Sequence, residues 1–274
     1  MDLAARAQSA ETIATEAGAL AMDYFRRLGG LEIEAKGHQD FVTEADREVE
    51  LLIRARLAEA WPDDAIVGEE HAPKAGSTGV TWVIDPIDGT ANFVSNMPFW
   101  CVVLAGVVTR TTGGETQIAV IHDPNHGETF VAQRGQGATL NGAPIRVREE
   151  AEIGDGTISV GSSRRSPPSQ LAALLQSIVE AGGVFQRLGS GALGLAYTAN
   201  GRYLGYSESY MNAWDCLAGQ LLIEEAGGTV ERQDADQMIT QGGRVIAAPV
   251  SIFPTLERLT TAAFGPEAPP KPTA

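Results

Sequence analysis

Residues 80–93 read VTWVIDPIDGTANF, and this stretch restricts the fold more tightly than any other. The apolar run Val80 to Ile84 has the composition of a β-strand. It leads directly into Asp85 and Asp88, two carboxylates on either side of Pro86, and Asp88-Gly89-Thr90 then opens a short helix. An ordinary strand end does not need that much negative charge in a sharp turn. Any fold for this chain must end a strand on concentrated charge and give the charge a use.

The rest of the chain alternates helical and strand periodicities and contains no internal repeat. Ile13, Ala17, Leu20, Tyr24 and Leu28 recur at helical spacing in an Ala-rich segment over 3–28, closed by Gly29-Gly30. Val49, Leu52, Ile53, Leu57 and Ala60 mark a second helix over 46–60. Strands are expected at 66–67, 80–84, 99–109, 116–121 and 128–133, with a turn at Asp123-Pro124-Asn125. Beyond residue 150 the expected order is strand 156–161, helices 168–181 and 190–199, strand 203–206, helix 213–226, strands 228–231 and 245–248, and helix 252–263. This is an α+β or layered α/β architecture. It divides into an N-terminal half, 1–150, and a C-terminal half, 151–265, and 266–274 reads as a disordered, proline-rich tail.

Composition removes several classes of function. The chain has 35 acidic and 20 basic residues, a formal charge of −15, so its overall field opposes nucleic acid and anionic membrane surfaces. Small cationic ligands are easier to accommodate. Two cysteines, Cys101 and Cys216, supply neither a disulfide framework nor the spacing of a zinc site, which suits a reducing compartment. The N-terminus reads as a helix, not a leader. The longest strongly apolar run, Cys101 to Val108, is well short of the roughly 20 residues of a membrane span, and a cytoplasmic protein is expected.

Four acidic clusters remain to be explained. Asp88 alone reads as a helix N-cap, but that role leaves Asp85 unexplained. Two carboxylates held together repel, and a divalent cation that takes oxygens from both makes the arrangement favourable. The N–H groups of Gly89 and Thr90 at a helix start suit phosphate. The strand of AIVGEEH delivers Glu69 and Glu70 together, as metal-facing groups or as solvated loop glutamates. Asp215, in the first turn of a helix, has a plain alternative in the helix dipole. Thr43-x-x-Asp46 has one in a capping box.

Taken together and in this order, DFVTEAD (40–46), GEE (68–70), WVIDPIDGTANF (82–93), GSSR (161–164) and WDCLAGQLLIEEAGG (214–228) resemble the inositol monophosphatase family of lithium-sensitive, Mg²⁺-dependent phosphatases. The resemblance implies an αβαβα sandwich, a homodimer and an active site between two halves. It implies Glu69, Asp85, Asp88, Asp215 and the carbonyl of Ile87 as ligands of two or three Mg²⁺ ions. Gly89 and Thr90 would bind phosphate, and Asp46 and Thr90, with Glu70 nearby, would position the attacking water. Ser162, Gly189, Ser190, Gly191 and Glu208 would line the substrate pocket. The implied activity is hydrolysis of inositol monophosphate. Alternatives are a histidinol-phosphate phosphatase, a 3′(2′),5′-bisphosphate nucleotidase or sugar phosphatase, and a non-catalytic regulatory binding role. Leu204 and the YMNAWD segment depart from the family pattern, at the alcohol side of the substrate.

Overall fold

The Ala-rich N-terminus forms helix α1 (Leu3–Phe25), started by Asp2, whose side chain accepts the Ala5 N–H at 3.0 Å. The structure, a computed structural model, describes residues 2–28, 33–37, 40–162 and 165–265, with backbone only for 33–37 and 40–43. The glycine stop at 29–30, the Thr43 side chain, Ser163, Arg164 and the tail 266–274 lie outside the described residues. Strands β1 (Ile33–Gly37) and β2 (Asp40–Thr43) pair antiparallel, and α2 (Glu44–Ala60) follows.

A seven-stranded sheet comes next: β3 (Ala65–Gly68), β4 (Val80–Asp88), β5 (Cys101–Arg110), β6 (Gly113–Asp123), β7 (Glu128–Gln133), β8 (Gly137–Leu140) and β9 (Ala143–Pro144). They lie side by side in chain order, parallel at β3/β4 and antiparallel elsewhere, with a short helix α3 (Thr90–Val94) between β4 and β5. The later residues supply β10 (Thr157–Val160), α4 (Pro168–Glu180), β11 (Val184–Gln186), α5 (Gly191–Ala199), β12 (Gly205–Met211), α6 (Ala213–Glu225), β13 (Gly228–Val230), α7 (Ala235–Gln241), β14 (Gly243–Pro249) and α8 (Phe253–Phe264). Their strands form a second sheet in the order β11-β10-β12-β14-β13.

Period-two alternation sorts the core into layers. On β4 to β6, Trp82, Ile84, Val102, Leu104, Ile118 and Val120 pack with α1 and α2. Their neighbours Val83, Cys101, Val103, Ala105, Ala119 and Ile121 turn the other way, onto α5 and α6. On β14, Val245 and Ala247 close that middle layer from the far side, while Ile246 and Ala248 meet α4 and α8. The result is an αβαβα sandwich. Both faces of each sheet are covered, which is why the strands read as continuous apolar runs rather than polar–apolar alternations.

Most expected elements form within two or three residues of their expected limits. Two differ in an instructive way. The turn expected at Asp85-Pro86 is a bulge inside β4, which continues to Asp88. Asp85 pairs with Val103 and Asp88 with Cys101, so three steps on β4 oppose two on β5. Proline has no N–H for the ladder and is found in sheets at such irregularities. The strand expected at 203–206 lies at 205–211, because the polar Ser207 and Glu208 still pair in the sheet and Met211 pairs again beyond an irregularity. Strands β1, β2, β8, β9 and β11 and helix α7 are too short or too polar for a periodic signal.

A buried ion pair ties α1 to the first sheet. The Arg6 guanidinium forks onto Asp64 with both N–O distances 2.8 Å, and Thr78 and Trp82 donate to the same carboxylate at 2.6 and 3.1 Å. Removing one partner of a buried pair strands the other, so Asp64→Ala is expected to cost about 3–5 kcal/mol of stability. Urea unfolding checks this, and activity per folded molecule should be unchanged.

Candidate functional site

The bulge in β4 builds the site. In a regular strand, residues three apart face opposite sides of the sheet; the extra residue restores parity. Asp85 and Asp88 therefore share the face of Val103 and Cys101, toward α5 and α6. The Ile87 N–H donates to Asp85 Oδ1 at 2.9 Å and holds the bend closed. Asp215, the third residue of α6, meets them there. One carboxylate oxygen from each of Asp85, Asp88 and Asp215 lies within 4.8 Å of the others.

Each acid is anchored locally. Asp88 accepts from the Ser190 hydroxyl at 2.5 Å and from the N–H groups of Ala192 and Gly191, at 2.7 and 3.4 Å, so the start of α5 grips it. Asp215 accepts the Asn212 N–H at 3.2 Å in a capping box, so its helix-start role and its place in the cluster hold together. The Thr90 hydroxyl lies 3.1 Å from both Asp46 Oδ1 and the Ile87 carbonyl. Asp46 is buried in the first turn of α2. Gly89 precedes α3 with φ of 105°, and a Cβ there would come within 2.8 Å of the Phe99 carbonyl, so glycine is required. Only five residues long, α3 has little dipole; what it offers an anion is the local N–H groups.

The electrostatics are those of a cation site. Burial raises the pKa of all three aspartates. Asp85 is pushed well up, by burial and then by Glu69, Asp88, Asp215 and Asp46. Asp215 reaches about 8, through burial and then Asp88 and Glu208. Asp88 is raised by burial, against the hydrogen bonds from Ser190, Ala192 and Gly191. Crowded carboxylates whose charged forms are disfavoured by burial, with oxygen donors converging, fit a hard divalent cation. Glu69 lies close enough to Asp85 to act on it, but outside the tight trio.

A cavity of about 160 Å³ adjoins the trio. Its lining includes Asp88, Asp215, Gly189, Ser190, Gly191 and Glu208, so six of the expected pocket and metal positions are brought together. Glu208 is an interior strand residue, not a strand-end charge: Tyr206 donates to it at 2.6 Å, and the Ser162 backbone N–H also reaches it. Burial raises its pKa to about 7. Ser162 contributes through its backbone, and Gly161 takes the place in the wall. The Ser190 hydroxyl is committed to Asp88. Sequence reasoning missed Tyr206 and Arg187 in the lining. The i, i+2 spacing of Tyr206 and Glu208 was a usable signal for the first; nothing local marked the second.

A family model described as the inositol monophosphatase family matches residues 2–264. The Haemophilus influenzae protein named Nus factor SuhB is 36% identical over 244 residues, 88% of this chain and 90% of that protein. Among solved structures, the extragenic suppressor protein suhB of Bartonella henselae matches with a TM-score of 0.87 at 30% identity, covering 93% of this chain and 98% of that one. An IMPase of Thermotoga maritima matches with a TM-score of 0.82 at 29% identity, covering 94% and 97%.

The raised carboxylates set the pH response of the metal-free protein. Asp215 holds its proton up to about pH 8 when folded but only to its ordinary value of 3.8 when unfolded. The folded state thus binds more protons across that window, and stability falls as pH rises through it. The metal-free melting temperature is expected to drop from pH 6 to pH 8, and Mg²⁺ should abolish the drop. Asp85→Asn, which removes a repelling charge, should raise the metal-free value at pH 8 while abolishing any Mg²⁺-dependent activity. Scanning calorimetry with and without EDTA checks both.

Proposed function

Because this chain belongs to the inositol monophosphatase family, we propose that it is a Mg²⁺-dependent phosphomonoesterase that hydrolyses inositol monophosphate to inositol and phosphate. One observation carries the reading: three crowded carboxylates adjoin a small cavity that also contains a glutamate able to pair with hydroxyls. Glu69, Asp85, Asp88, Asp215 and the Ile87 carbonyl would hold two or three Mg²⁺ ions. Bound Mg²⁺ supplies neutralisation of the dianionic phosphate and a lowered pKa for a water.

The remaining work falls to the chain's own groups. The N–H groups of Gly89 and Thr90 receive the phosphate oxygens. The Thr90 hydroxyl directs its proton to Asp46 Oδ1 and turns its lone pairs toward the attacking water, and Glu70 lies near the same water. As the water attacks phosphorus, its proton passes by way of Thr90 to Asp46, the ester P–O bond breaks, and the leaving oxygen takes up a proton from solvent water to depart as the alcohol. Glu208, with Tyr206 behind it, accepts hydrogen bonds from ring hydroxyls. Gly161, Gly189, Ser190 and Gly191 shape the pocket around the ring, and the Ser162 N–H braces Glu208.

Cavity size supports a single-ring alcohol. At about 160 Å³ the space is below the roughly 300–1,000 Å³ of pockets that take drug-sized ligands. That disfavours bisphosphate nucleotides; histidinol phosphate and small sugar phosphates remain the competitors. A homodimer acting in the cytoplasm belongs to this reading. It is supported by the exposed apolar Val184 and Phe185 on edge strand β11, with Val179 on α4, and by two buried free thiols. Among the described residues, no helix is long and apolar enough to cross a membrane.

The name of the Haemophilus influenzae relative favours a second reading, a non-catalytic regulatory role like that of a Nus factor. A phosphate-release panel over inositol, histidinol, nucleotide and sugar phosphates separates the two. Mg²⁺-dependent release that EDTA abolishes supports the enzyme, and no release from any substrate supports the regulatory role. Lithium inhibition is expected in the same assay.

Two variants test the assigned roles. Thr90→Ala should lower kcat about 100-fold with little change in KM, because the lost interaction belongs to the transition state. Steady-state kinetics with unchanged melting temperature checks this. Glu208→Gln should weaken turnover of inositol 1-phosphate and spare p-nitrophenyl phosphate, which has no hydroxyls to pair. A selective, salt-sensitive loss on histidinol phosphate would instead assign Glu208 to an ammonium group.

A further inference from the structure

The GEEH segment at 68–71 is held by a group that none of the roles above uses. Glu50, on α2, is fully buried. Its Oε2 accepts the Glu70 N–H at 2.7 Å and its Oε1 accepts the His71 N–H at 3.1 Å. Arg54, one turn further along α2, donates to Oε1 at 2.7 Å and to the His71 carbonyl at 3.0 Å. The His71 ring Nδ1 lies 3.3 Å from the same oxygen. A single carboxylate–guanidinium pair thus clasps both the donors and the acceptor of this loop. A Cβ on Gly68 would fall 2.4 Å from Glu50 Oε1, so the glycine of the motif is the opening through which the carboxylate reaches the backbone.

We propose that Glu50, locked by Arg54, is a positioning residue that holds Glu69 and Glu70 toward the Asp85–Asp88–Asp215 trio and thereby sets the affinity of the site for divalent cations. The inference rests on the metal site proposed above. Burial makes Glu50 a poor ligand and a good brace. Its charge is compensated by Arg54, and both its oxygens accept hydrogen bonds. Charge-assisted bonds to successive N–H groups fix the direction of the loop, and with it the side chain of Glu69. Such outer groups commonly change metal affinity or activity by about 10–100-fold when removed.

The test is calorimetric titration of Mg²⁺ into the full chain, with phosphate release measured over the same Mg²⁺ range. Glu50→Gln leaves one N–H facing an amide NH₂, and should raise the Mg²⁺ dissociation constant at least about tenfold. Much of kcat should return at saturating Mg²⁺. Gly68→Ala keeps the charge of Glu50 but displaces its carboxylate, so it should act in the same direction, and it also serves if Glu50→Gln does not fold. Wild-type Mg²⁺ affinity in the folded variants, with only a lower melting temperature, would show that Glu50 supports the fold alone and overturn the proposal. A wild-type chain that binds Mg²⁺ but releases no phosphate would sink the phosphatase reading, while the binding comparison still decides the role of Glu50. A wild-type chain that binds no Mg²⁺ would overturn both.

Discussion

One additional residue in β4 is the constraint on which the rest of the site depends. Without it, Asp85 and Asp88 would face opposite sides of the sheet, one into the layer of α1 and α2 and the other toward α5 and α6. With it, both meet the middle layer, where the starts of two helices are available. The proline at position 86 makes the irregularity cheap, since it has no ladder hydrogen bond to lose. Asp85 Oδ1 then fixes the bend by holding the Ile87 N–H.

Bringing charges together in this way works against folding. Burial raises the carboxylates of Asp85, Asp88 and Asp215, and repulsion from neighbouring acids adds to the rise at Asp85 and Asp215. The chain offsets part of this with the donors at the starts of α5 and α6, and a cation bound at the trio would offset the rest. Stability lost here is tolerable because the apolar layers on both faces of both sheets are continuous. The arrangement is an ordinary trade between stability and a pre-organised charged site. The braces are themselves layered: Ser190 and Ala192 hold Asp88, Asn212 holds Asp215, and Glu50 with Arg54 holds the Glu69–Glu70 loop.

Much of this was legible in order of chemical distinctiveness. The long helices α1, α2, α4, α6 and α8 and the apolar strands β4 to β7 announced themselves by period, because each buries a regular stripe or face. Asp85 and Asp88 stood out because paired carboxylates in a tight turn are costly without a purpose, whereas Glu69 and Asp215, each with a plain alternative, joined them through the resemblance of the motifs taken in order. The polar course of β12 was not legible, since Ser207, Glu208 and Ser209 lack the alternation of a half-buried strand. Ser207 is in fact buried and paired with Thr260 across 53 residues of chain. Nothing in the sequence singles out Glu50. Its partners, Glu70 and His71, are 20 and 21 residues away, and no spacing rule links them.

The sequence by itself determined the element types, the continuous apolar strands that demand two sheets covered on both faces, and the identity of the acidic groups. These depend on local sterics and on hydrophobic period, which act within a few residues. Tertiary structure alone decided which carboxylates converge, which are braced from outside, and that Glu208 faces a cavity instead of solvent. Those outcomes depend on distances between residues far apart in the chain. The parity of one bulge and the docking of α5 and α6 between the two sheets set those distances.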